Sequence, residues 1–133
     1  MTELLLVAAC ALVDGDGRVL LAQRPAGKQH AHLWEFPGGK LEPGETPEAA
    51  LTRELDEELD INVTASCLAP IAFASEPSGA VHLLMPLFIC RKWNGTPRPV
   101  EAAALKWARP DRLLEFDLAP ADRPLAAHLR DLL

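Results

Sequence analysis

The chain has 133 residues, 49% of them hydrophobic and 24% charged, with 13 Lys and Arg against 19 Asp and Glu for a net charge of −6. That is the size and composition of one soluble globular domain spanning residues 1–133, able to bury a core without disulfide or metal staples, and it excludes disordered and fibrous classes. The acidic balance also excludes a nucleic-acid polymer as main partner, because no surplus of Lys or Arg is available to displace phosphate counterions; a phosphate-bearing ligand would need metal ions.

Residues 4–13, LLLVAACALV, read as a buried strand. Only Glu3 flanks them, no Lys or Arg precedes them as in a signal peptide, and ten residues are too few to span a bilayer. DGDG (14–17) reads as a hairpin turn into a returning strand at 18–24. DGDGRVLLAQRP does not fit a calcium loop, since its twelfth position is Pro25 instead of Glu. A long loop punctuated by Gly and Pro follows, and Thr46 with Pro47 starts a helix that runs to about Leu59. Apolar runs at 63–74, 81–90 and 104–108 read as strands. Leu125, Leu129, Leu132 and Leu133 recur at helical spacing behind an Asp122 cap, so a second helix closes the chain and the fold class is α/β. Cys10, Cys67 and Cys90 are odd in number and form no C-x-x-C, which fits reduced thiols in the cytoplasm.

The first helix carries an unusual concentration of charge. At about 100° per residue, Glu54, Glu57 and Glu58 fall within an arc of about 100°, beside a stripe of Leu51, Leu55 and Leu59. Like charges at these spacings cost a few tenths of a kcal/mol each in water, and more next to an apolar stripe. Either the face is merely solvated with Arg53 as partner, or something cationic sits there.

The flanking spacing decides. GGKLEPGETPEAALTRELDEELDI (38–61) places Glu45, Arg53, Glu54, Glu57 and Glu58 at fixed intervals after Gly39. It resembles the Nudix box, G-x5-E-x7-R-E-U-x-E-E-x-G-U with U aliphatic, at every position but the second glycine, where Asp60 stands. Six matched positions at about 7% each make a chance match in a chain of this length about 10⁻⁵. Asp is among the few residues that tolerate the left-handed conformation a glycine would serve past the helix end.

The resemblance implies the Nudix fold, an α/β/α sandwich with a central mixed β-sheet and the Nudix loop-helix-loop. It also implies a metal site: Glu54, Glu57 and Glu58 on Mg²⁺, or Mn²⁺ in its place, one of them doubling as general base, with the Gly38 carbonyl as a further ligand. Mg²⁺ takes hard oxygen donors together with substrate phosphates, which suits an acidic protein and a triphosphate. Arg53 would orient Glu54 and Glu45 through charge-assisted hydrogen bonds. Lys40 either reaches a phosphate or is an ordinary surface lysine.

Beyond the box the chain is similar to the MutT subgroup. WEFPGGK (34–40) matches that subgroup's approach to the box, Arg24 stands where it has a nucleotide-contacting arginine, and KWNG (92–95) matches its W-x-G turn. Glu101 lies six residues before Trp107, the spacing of an additional catalytic carboxylate. Arg24, Phe36, Gly39, Lys40 and Asp122 are implied on the substrate side. LAPADRPL (118–125) is similar both to MutT and to bacterial CTP pyrophosphohydrolases, so Asp122 either contacts the base or only caps the last helix. An ionised Asp accepts only and could pair with donors of guanine or of cytosine. Leu87 falls where MutT has an aromatic on the base, which weakens the purine expectation. His30 and His32 lack a third ligand and read as surface residues.

The expected activity is Mg²⁺-dependent pyrophosphohydrolysis of 8-oxo-dGTP or a related oxidised nucleotide. CTP or 5-methyl-dCTP as substrate, and a non-catalytic nucleotide-binding Nudix domain, are the alternatives. No membrane partner is expected, and the chain is expected to be a monomer or weak homodimer.

Overall fold

In the computed structural model, which describes residues 2–133, β1 (Glu3–Leu12) is buried on both faces along its second half, and this sets the architecture. Ala8, Cys10 and Leu12 enter one core with Leu51, Leu55 and Leu59, while Ala9, Ala11 and Val13 enter another with Leu125, Ala126 and Leu129. Successive side chains of a strand alternate between faces, so a continuous apolar run must be covered on both sides. The covers are α1 (Pro47–Leu59) and α2 (Asp122–Leu132), one on each side, giving the expected α/β/α sandwich.

The remaining strands are β2 (Val19–Gln23), β3 (Trp34–Glu35), β4 (Gly38–Lys40), β5 (Ala69–Ser78), β6 (Val81–Cys90) and β7 (Ala104–Ala108). One sheet runs β4-β1-β6-β5 and is mixed, because β1 lies parallel to β6 while its other partner, β4, is antiparallel. The other runs β3-β2-β7 and is antiparallel.

The DGDG turn forms, with Gly17 at φ 79° and Asp14 N–H donating to Arg18 O at 3.0 Å, but it does not make a simple hairpin. The Val13–Val19 bridge joins the ends of β1 and β2, which then run into different sheets. The run expected as a strand over 63–74 begins instead with a 3₁₀ turn at Ala65–Cys67, and the strand starts at Ala69. The loop after β2 contains β3 and β4, too short to show a period. Leu132 and Leu133 are 62% and 42% exposed, so the buried stripe of the last helix ends at Leu129. Among the described residues no helix is long and apolar enough to cross a membrane.

α1 begins as its sequence requires. Thr46 Oγ1 accepts from Ala49 N–H at 3.1 Å, and Pro47 occupies the first helical position, where its missing N–H costs nothing. It ends with Asp60 at φ 59°, ψ 40°, the left-handed cap.

Candidate active site

Arg53 lies at the centre of the acid-rich face. Its Nε donates to Glu45 Oε2 at 2.9 Å and its Nη2 to Glu45 Oε1 at 2.8 Å, while Nη1 donates to Glu54 Oε1 at 2.8 Å. A further contact from Nη2 to the Lys40 carbonyl at 3.2 Å ties the helix to β4. This planar fork holds Glu45 well below the usual carboxylate range, at about 2, with the Arg53 hydrogen bonds the largest cause and the Glu42 N–H the next. Arg53 itself is pushed upward by the same bonds.

Two glycines let β4 approach the helix. A Cβ on Gly39 would stand 2.5 Å from the Glu54 carboxyl carbon, so the carboxylate packs where any other residue would place its side chain. Gly38, at φ 151°, has the Ala8 carbonyl where its Cβ would be.

Glu58 is partly buried and has no ion-pair partner among the described residues; Gly38 N–H approaches its Oε2 at 3.4 Å. Burial pushes its carboxyl up to about 9, with Glu54, Glu35 and Glu101 adding in that direction and the Gly38 N–H opposing. Glu101 is brought there because Arg98 N–H donates to Leu59 O and Val100 N–H to Glu58 O, hanging its loop on the end of α1, while Ala103 N–H donates to Gln23 O. Glu54 is paired with Arg53 and Glu35 with Arg24, while Glu58 and Glu101 have no ion-pair partner among the described residues; these hard oxygen donors are a set that fits a divalent ion. The side chains do not converge as a closed cage: among the described residues no three His, Cys, Asp or Glu gather at ligand distance. Glu54 is turned to Arg53, Glu58 to Gly38, and Glu57 is 54% exposed with Arg53 Nη1 at 3.6 Å.

From this cluster a cleft of about 820 Å³ runs past Gly38, Gly39 and Lys40 to Asp122, floored by Val7, Leu83 and Met85. At its far end Asp122 is 4% exposed and its Oδ1 accepts from Phe36 N–H at 2.9 Å. The capping role read from sequence is therefore wrong. Ala121 occupies the N-cap position with no side-chain bond, and the Asp122 carboxylate serves a backbone group 86 residues away. Burial pushes this carboxyl up to about 8, with Glu35 adding and the Phe36 N–H and Arg24 opposing. Phe36 is buried, its ring in the core shared with α2, so its backbone rather than its ring is what Asp122 engages. Leu87 is fully buried and is not among the residues lining the cleft.

Arg24 lines the same cleft, yet it is not free: Nη1 donates to Glu35 at 2.8 and 3.2 Å and Nε to Gln29 O at 2.7 Å. Glu35 was missed as a site residue in the sequence, although it stands inside WEFPGGK. Its only signal there is a charge within an otherwise apolar and turn-forming stretch. Lys28, which also lines the cleft, gave none.

A mixed sheet stands between two helices, and a loop-helix carrying carboxylates around an arginine adjoins a cleft of small-ligand size. The NUDIX domain family profile matches residues 4–129, and the chain belongs to the Nudix family. A CTP pyrophosphohydrolase of Escherichia coli (strain K12) is 44% identical over 115 residues, 86% of this chain and 84% of that protein. The 8-oxo-dGTP diphosphatase of the same strain is 31% identical over 126 residues, 95% and 96% of the two chains. Among solved structures, the E. coli ORF135 protein superposes with a TM-score of 0.87 at 37% identity, covering 98% of this chain and 91% of that one. The MutT NUDIX hydrolase from Burkholderia pseudomallei does so with 0.83 at 30%, covering 95% and 98%. The chain is a Nudix hydrolase of MutT type, acting on phosphoric anhydride bonds of small nucleotide substrates.

Proposed function

We propose that this chain, as one domain working in the cytoplasm, hydrolyses 8-oxo-dGTP or a related oxidised nucleoside triphosphate to the monophosphate and pyrophosphate with Mg²⁺, and so cleanses the nucleotide pool. The observation that carries this reading is the continuous cleft joining the carboxylate cluster at Glu58 to the buried Asp122. Its volume falls in the range of small-ligand sites, and it has charge at one end and an apolar floor with one selective polar group at the other.

Glu54, Glu57, Glu58 and Glu101 with the Gly38 carbonyl would hold the metal, and Mn²⁺ would serve in its place. A divalent ion there supplies charge neutralisation for the phosphates and lowers the pKa of the attacking water. Arg53 keeps Glu54 and Glu45 in place, and one glutamate of the cluster takes the proton from water. Lys40, exposed at the cleft edge beside Gly39, meets a phosphate as a point charge. Arg24 and the Phe36 to Asp122 pair receive the nucleoside.

The second reading, CTP or 5-methyl-dCTP, is favoured by the 44% identity to a CTP pyrophosphohydrolase and by the LAPAD stretch ending at Asp122. The two readings differ only at the base end. The test is kcat/KM on 8-oxo-dGTP, dGTP, CTP and 5-methyl-dCTP with Mg²⁺. A preference of at least about tenfold for 8-oxo-dGTP over both cytosine nucleotides supports the first reading, and the reverse order replaces it with the second.

A further inference from the structure

Glu35 stands between the two ends of the cleft. Its carboxylate takes Arg24 Nη1 on both oxygens, and the two side chains are only 29% and 27% exposed. With Nε given to Gln29 O, Nη2 is the one guanidinium nitrogen of Arg24 that has no partner among the described residues. Glu58, which has no ion pair among the described residues, lines the same two cavities as Arg24 and is a rival acceptor for it. In a partly desolvated pocket an arginine and an unpaired carboxylate attract strongly. Whichever carboxylate holds Arg24 therefore decides whether that arginine serves the nucleotide or occupies the metal end.

We infer that Glu35 is a positioning residue: it holds Arg24 through Nη1, leaves Nη2 for the nucleotide, and keeps the guanidinium off Glu58. This rests on the reading of the cleft as the nucleotide site. Glutamine at 35 retains the shape but loses the charge and one of the two acceptors, so it loosens Arg24 without emptying the space.

The experiment is a double-mutant cycle on binding, free of turnover. Calorimetric affinities for 8-oxo-dGMP and CMP in EDTA are measured for wild type, Glu35→Gln, Arg24→Gln and the double variant, followed by Mg²⁺ affinity of each without nucleotide. Each single variant is expected to weaken binding of the preferred monophosphate by about tenfold or more, and the double variant to be no worse than Arg24→Gln within about twofold. Mg²⁺ affinity is expected to fall in Glu35→Gln and to recover in the double variant, where Arg24 no longer competes. A purely structural role for Glu35 would not produce that recovery. Glu35→Asp keeps the charge and is expected to retain most of the binding; the same cycle run in that background applies if Glu35→Gln fails to fold. Monophosphate binding by Glu35→Gln within about twofold of wild type, losses that multiply in the double variant, or no monophosphate binding by wild type at millimolar concentration would overturn the inference. Pyrophosphate release is assayed separately; its absence refutes the hydrolase reading while the binding cycle still decides Glu35.

Discussion

Arg53 grips Glu45 with two hydrogen bonds, Nε to Oε2 at 2.9 Å and Nη2 to Oε1 at 2.8 Å, while its third nitrogen reaches Glu54 at 2.8 Å. A lysine keeps the charge and loses the fork. Arg53→Lys is expected to lower kcat by about 10- to 100-fold and leave nucleotide affinity nearly unchanged, because the lost contacts orient carboxylates and touch no substrate. Turnover preserved with affinity lost would mean that Arg53 contacts the nucleotide.

The same grip sets an acid limit. Glu45 is depressed to about 2 in the folded state, so its contribution is present above the unfolded value near 4.5 and is lost as pH falls through that window toward 2. Relative to wild type, Glu45→Gln is expected to melt lower at pH 6 and to converge with it near pH 2. A difference in melting temperature independent of pH over that range would contradict the assigned pairing.

Glu58 has the opposite sign. Its carboxyl is raised to about 9, so the metal-free fold is best served below about 4.5 and loses stability as pH rises toward 9. Proton and metal compete for this carboxylate, so Mg²⁺ affinity is expected to climb by up to about tenfold per pH unit between 7 and 9. Thermal shifts on adding MgCl₂ should grow over the same interval in wild type and flatten in Glu58→Gln. Equal Mg²⁺ affinity at pH 7 and pH 9 would contradict a proton on Glu58 that competes with the metal.

Asp122→Asn separates anchoring from selection. The Asn Oδ1 can still accept the Phe36 N–H, and the variant carries no buried acid to ionise. Asp122 is raised to about 8, so wild type loses stability as pH rises from about 3.8 to about 8, and the variant does not. The two should melt together near pH 4 and differ by about 3 °C or more, Asn higher, at pH 8. An amide also presents different donors to the base, so the kcat/KM ratio between 8-oxo-dGTP and CTP is expected to change by at least about tenfold. An unchanged ratio would leave Asp122 as an anchor for Phe36 alone.

What could be read from the sequence was what is local. The intervals from Gly39 to Glu58, the Thr46 cap and the left-handed Asp60 all lie within 24 consecutive residues, and the structure reproduces the cap and turn geometry there. The double-sided burial of β1 was legible as an unbroken apolar run. The Asp122 carboxylate was misassigned because a helix-start pattern is local, whereas its actual partner, Phe36 N–H, is reached only when Trp34 pairs with the 117–119 segment. Glu35 went unread for the same reason: its role depends on β2 and β3 lying side by side, which places Arg24 against it.

Phosphorus NMR of a nucleoside triphosphate incubated with the protein and Mg²⁺ reads metal-assisted cleavage to a monophosphate and pyrophosphate directly. Signals of the nucleoside monophosphate and pyrophosphate are expected to grow in equal amounts, to stop on adding EDTA, and to slow by at least about 10³-fold with Glu57→Gln, which removes one charge from the cluster and leaves its shape. Diphosphate and orthophosphate as products, turnover indifferent to EDTA, or near-normal turnover by Glu57→Gln would contradict the account.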